Sequence, residues 1–221
     1  MAHHFDDAEQ QHDATELGMW AFLAQEVLFF GGLFLGYSIY RFKYQETFAF
    51  VSKMLSVPWG TFNTCVLLGS SFTMAMAVYF AKHDNKKRLA QFLTATLVLG
   101  FIFLCVKGIE WTRDYHEHLV PGAYFGFDFT EHIHHDPEIL SKDPLAAQHA
   151  QLFMVFYFCM TGLHALHMVI GMVILAIIAW WAFRGRTSLK HANFVEMMGL
   201  YWHFVDIVWI FLFPFLYLIR V

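Results

Sequence analysis

The chain is poor in charge. Lys, Arg, Asp and Glu make up 14% of its 221 residues, against about a quarter in soluble domains. The deficit runs along almost the whole length, which points away from a soluble fold and towards a membrane. A net charge of −4 with no Lys/Arg-rich block excludes a nucleic-acid partner. Cysteine is scarce too. Cys65, Cys105 and Cys159 each lie in an apolar run without forming a CxxC, and they read as small buried hydrophobes rather than redox or metal groups. No Gly-rich phosphate loop, GxSxG elbow or basic pocket is present, so nucleotide and nucleophile chemistry are not indicated. The spans do not form two matching halves with broken helices, which disfavours a secondary transporter. The opening MAHHFDDAEQQHDATE is acidic, without the apolar core of a secretory signal or the Arg content of a transit peptide, and residues 1–16 read as a cytoplasmic tail.

What is abundant is apolar surface: 58% hydrophobic residues, 26 of them Phe. A bilayer-spanning helix needs about 20 mostly apolar residues. Five runs qualify, at 17–40, 59–81, 89–111, 151–183 and 194–219. Backbone groups in lipid must bond internally, so each run should be a helix. The expected fold is all-α and integral to the membrane, a bundle of five transmembrane helices over 17–221. Pro214 should bend the fifth run or end its regular bonding. The Lys and Arg of the loops at 82–88 and 184–190 place both on the cytoplasmic side. The N-terminus is then cytoplasmic and the C-terminus on the outer face. Residues 112–150 form a long outer-face loop. Its EHIHHDPE has metal-ligand composition without zinc spacing, so a solvated loop is the default.

Ionisable residues inside these runs are the candidates for function, because a charge at mid-bilayer costs about 2.5–3.5 kcal/mol. Glu26 stands alone near the middle of the first run and must find a partner off its own helix or stay protonated. Gly32 and Gly36 form a GxxxG that reads as packing. Lys107, Glu110 and Arg113 recur at intervals of three at the outer end of the third run. They read as a charge ladder, with Lys107 either snorkelling outward or serving a function. His164 and His167 on the fourth run, and Glu196, His203 and Asp206 on the fifth, read as two polar stripes that hydrogen-bond across a helix interface. Bis-His haem ligation by His164 or His167 with His203 is the competing reading. A di-iron site is disfavoured, because no span carries ExxH.

Four stretches resemble subunit III of the haem-copper respiratory oxidases, the cytochrome c oxidase family: QEVLFFGGLF around Glu26, NTCVLLGSSFTMA after Pro58, TGLHALHMVIGM, and YWHFVDIVWIFLF. The KGIEW end of the third run and the loop 85–88 fit as well. The resemblance implies an accessory chain with no haem or copper of its own. It would pack on the catalytic subunit I, beside subunit II and other respiratory subunits, in a bacterial plasma membrane. Haem and copper would lie in those partners. Glu26 matches a membrane glutamate linked to a lipid cleft, to oxygen access and to proton supply, which brings in bound phospholipid. His164, His167, Glu196, His203 and Asp206 match positions that hold the bundle together. Glu110 matches an acidic position near the outer surface. Two departures stand out. The chain begins at what would be the third helix of seven-helix members, which removes one wall of the lipid cleft. A histidine common midway along the second run is absent from MAVYF. The long outer loop is also a candidate docking point for a cytochrome domain. The alternatives are the equivalent subunit of a quinol oxidase or nitric oxide reductase, or an independent haem protein.

Overall fold

The computed structural model describes residues 8–122, 125–126, 143–184 and 192–218, with side chains from residue 13 onward. The EHIHHDPE segment, Arg186, Lys190 and tail residues 1–7 lie outside the described residues. Every regular element among the described residues is helical: α1 (Ala8–Lys43), α2 (Gln45–Met54), α3 (Val57–Lys82), α4 (Lys86–His116), α5 (Ala146–Phe183) and α6 (Ala192–Phe213). Five of them are long and apolar enough to cross a membrane. The chain is an all-α, multi-pass membrane protein. α2 lies in a stretch expected to be a plain loop. Its Phe48, Ala49 and Val51 are buried, and that one apolar face is enough to fold a ten-residue connection into a helix.

The helix ends follow local chemistry. Pro58 sits in the first turn of α3, where its missing N–H is not needed. Asp84 and His118 close α3 and α4 in the left-handed region, at φ 50° and 55°. In each case the next residue's N–H reaches back five positions, Asn85 to the Phe80 carbonyl at 3.1 Å and Leu119 to Asp114 at 2.9 Å. Asn85 Oδ1 accepts the Arg88 N–H at 3.2 Å and caps the start of α4. Pro214 ends the α-helical ladder of α6, and Pro214–Leu218 continues as a π-helical turn.

The described chain forms two compact units. The first comprises residues 1–31, 67–100 and 167–207. Its centre is Trp202, fully buried on α6. A Cβ on Gly171 of α5 would stand 3.2 Å from that indole and 3.0 Å from the Tyr201 ring, so a side chain there would push the rings back. Gly199 does the same for α3, where a Cβ would stand 2.7 Å from Val78. The second unit comprises 32–66, 101–166 and 208–221. Its centre is Trp209, seven residues on and on the same face of α6. Phe103 of α4 meets it edge-on at 4.8 Å and His164 of α5 lies at 5.2 Å. Trp209 Nε1 donates to Thr64 Oγ1 of α3 at 3.1 Å. Tyr37 of α1 donates to the Phe215 carbonyl at 2.8 Å.

Two expectations fail. Cys65, Cys105 and Cys159 are free and exposed, on the outward faces of their helices. Sulfur is apolar enough to face lipid, so an apolar run does not imply an inward side chain. Of the GxxxG pair, a Cβ on Gly36 would stand 3.4 Å from the Phe156 ring, but nothing stands within 4 Å of a Cβ on Gly32.

Candidate functional site

In the second unit the charge of α4 is buried rather than laddered. Lys107 is 2% exposed and Glu110 6%. The Lys107 ammonium donates to Glu110 Oε2 at 2.9 Å, to the Tyr217 hydroxyl at 2.9 Å and to the Tyr157 hydroxyl at 3.2 Å. All three of its N–H groups are used. Tyr217 in turn donates to Glu110 Oε1 at 2.7 Å, so both oxygens of that carboxylate are served. The rings of Tyr157, Trp209, Tyr217 and Trp111 surround Lys107 Nζ at 4.9–5.9 Å. Their π faces favour a cation, the more so when it is desolvated. The outward-snorkelling reading of Lys107 is therefore wrong. Tyr157 and Tyr217 lie 50 and 110 positions away in sequence, and only the fold brings their oxygens to the ammonium. Arg113 does not join this set. Its Nε donates to Glu117 at 2.7 Å in an exposed pair.

In the first unit the polar groups pair singly. Glu26 is 8% exposed, and His167 Nε2 of α5 stands 3.2 Å from its Oε2, an ion-pair approach without hydrogen-bond alignment. This is the partner that α1 itself cannot supply. Phe30 packs edge-on against the same imidazole at 5.5 Å. Tyr201 donates to the His167 carbonyl at 2.9 Å. His203 Nδ1 bonds Ser71 Oγ of α3 at 2.7 Å. Ser71 also faces Asp206, which is 3% exposed. The stripe carrying His203 was expected to bond across to the fourth run; His203 bonds a serine of α3 instead. Glu196 is not part of a buried set. It binds Lys82 at 2.7 Å with a third of its side chain exposed. His164, in the second unit, is buried between the Phe103 and Trp209 rings.

Outside the spans, Asp143 ties the start of α5 to α2. It accepts from Thr47 Oγ1 at 2.7 Å, is 2.7 Å from His149 Nδ1, and takes the Leu145 N–H at 3.1 Å. His149 stacks on Tyr44 at 3.5 Å. Burial would raise the Asp143 pKa, but these hydrogen bonds outweigh it and hold the carboxyl below its usual range. Among the described residues no group of three or more His, Cys, Asp and Glu is placed to hold a metal ion.

The sequence is similar to known proteins along nearly its whole length. The family described as Cytochrome c oxidase subunit III matches residues 144–220. A cytochrome c oxidase subunit 3 from Thermostichus vulcanus is 29% identical over 216 residues, covering 97% of this chain and 92% of that protein. The family match thus covers the C-terminal third of the chain, and along nearly its whole length the chain is similar to subunit III proteins of haem-copper oxidases. A probable quinol oxidase subunit 3 from Staphylococcus saprophyticus is 25% identical, over 99% of this chain and 95% of that one. A heme-copper oxidase subunit I+III from Aeropyrum pernix is 29% identical over 94% of this chain, which corresponds to 23% of that longer protein. The matched segment 144–220 contains His164, His167, Glu196, His203, Asp206, Tyr157 and Tyr217. The two tyrosines went unnoticed in the sequence. Their signal was a phenol inside an apolar run, where a buried hydroxyl needs a partner.

Proposed function

We propose that this chain is subunit III, the cofactor-free accessory chain, of a proton-pumping, oxygen-reducing haem-copper oxidase. It packs on catalytic subunit I, beside subunit II, and keeps that centre working through turnover. Haem and copper belong to those partners. The name of the Aeropyrum relative joins subunits I and III in one polypeptide, which supports direct packing on subunit I. The observation that carries the reading is how the buried ionisable groups are engaged. Glu26 is met by His167, Lys107 by Glu110 and two tyrosines, and His203 by Ser71. Imidazoles and carboxyls committed in this way serve contacts and protons rather than electron transfer.

Within this role Glu26 and His167 form a proton-holding pair with a phospholipid beside it. The complex sits in a bacterial plasma membrane. Lys82, Lys86, Lys87, Arg88 and Arg184 support a cytoplasmic first unit, which gives a cytoplasmic N-terminus and a periplasmic C-terminus. Stripping the chain from the purified complex tests the reading. Haem content should stay unchanged while activity decays faster during turnover; loss of a haem would refute it. Glu26→Gln should assemble normally but slow proton uptake or shorten working life, and wild-type behaviour in both assays would remove Glu26 from the role.

A further inference from the structure

Asp114 lies one helical turn beyond Glu110 and is also buried, 6% exposed. The cluster thus holds two carboxyls and one ammonium away from water. Counting donors decides which carboxyl is ionised. Both oxygens of Glu110 accept, from Lys107 and from Tyr217, and the three N–H groups of Lys107 are spent on Glu110, Tyr157 and Tyr217. Lys107 and Glu110 therefore neutralise each other. No donor reaches Asp114 Oδ2 among the described residues. Arg113 lines the cavity beside Asp114, but it is largely exposed and gives its Nε to Glu117, so water screens its charge. Tyr157 of α5 faces Asp114 with a neutral hydroxyl. An ionised Asp114 would be a buried charge with one neutral hydroxyl, that of Tyr157, to serve it, a state that protein interiors avoid by neutralisation.

Asp114 also lines a cavity of about 30 Å³, together with Glu110, Arg113, Ser56 and Trp59. The wall from the α2–α3 connection brings no charge. A water needs roughly 10–15 Å³ and polar partners, so the cavity takes one or two. We propose that Asp114 is a proton-holding group, neutral in the resting protein and loaded and unloaded through water in this cavity. On unloading, the carboxyl O–H bond breaks, the proton passes to the water, and the carboxylate remains; loading is the reverse.

Infrared spectroscopy of the intact oxidase complex, in ordinary and heavy water, reads this without relying on turnover. The wild type should show a protonated-carboxyl C=O band that shifts on deuteration, and Asp114→Asn should lose that band. An unchanged spectrum in the variant would overturn the proposal. Asn mimics the neutral acid in shape and charge, so the variant complex should form at wild-type yield. Failure to assemble would also overturn the proposal, because it would mean that the fold requires the ionised carboxylate.

Discussion

The two units bury polar groups in opposite ways. In the first, three ionisable groups have one modest partner each: an imidazole for Glu26, a serine for His203, an exposed lysine for Glu196. In the second, a full ammonium and a carboxylate are buried together, and every donor and acceptor between them is matched. A buried charge is tolerated only when its geometry is complete, because removing one partner strands the other. Single pairs can be loosened at small cost, so the Glu26–His167 pair suits proton exchange, whereas the Lys107–Glu110 set suits fixing helices together and leaves Asp114 beside it as the exchangeable group.

The sharpest way to break this contrast is Lys107→Met. It leaves Glu110 as an uncompensated buried carboxylate, an expected loss of about 3–5 kcal/mol, visible as failed assembly or a sharp fall in the thermal midpoint of the complex. Tyr217→Phe removes one donor to Glu110 and one acceptor for Lys107, for about 1–3 kcal/mol, and should lower the midpoint while assembly survives. In the first unit, Ser71→Ala deletes the partner of His203, for about 1 kcal/mol. Complex yield after extraction in mild detergent should drop only slightly. A larger loss for Ser71→Ala than for Tyr217→Phe would reverse the comparison.

The smallest effect is a pH response outside the membrane. The Asp143 pKa is lowered in the folded chain, so its hydrogen bonds stabilise above the ordinary Asp range, near pH 4, and that contribution fades as pH falls through the lower folded value. Amide-exchange protection, taken relative to the intrinsic rate at each pH, should fall in acid at residues 44–47 and 143–149, and Asp143→Asn should flatten that fall.

The spans were legible because hydrocarbon thickness imposes a length on apolar runs. Their true ends were not. α1 begins at Ala8 and α5 at Ala146, since hydropathy marks the lipid boundary while helices continue into polar sequence. The spacing of Lys107 and Glu110 was visible, and so was their ability to pair. Their burial was not, because it depends on Tyr217, whose hydroxyl arrives by way of the π-helical turn after Pro214. The isolation of Glu26 left open a partner on another helix or a protonated carboxyl, and nothing local named His167 over its neighbour His164. Serine as the partner of His203 left no trace, because Ser71 is one of many small residues in α3.

The most direct test is a double-mutant cycle on Lys107→Met and Glu110→Gln, read as the thermal midpoint of the assembled complex. The double variant should be markedly less damaged than the two single losses summed, because it strands no charge. Strict additivity would contradict the account, since it would mean the two groups act independently and their burial together is incidental.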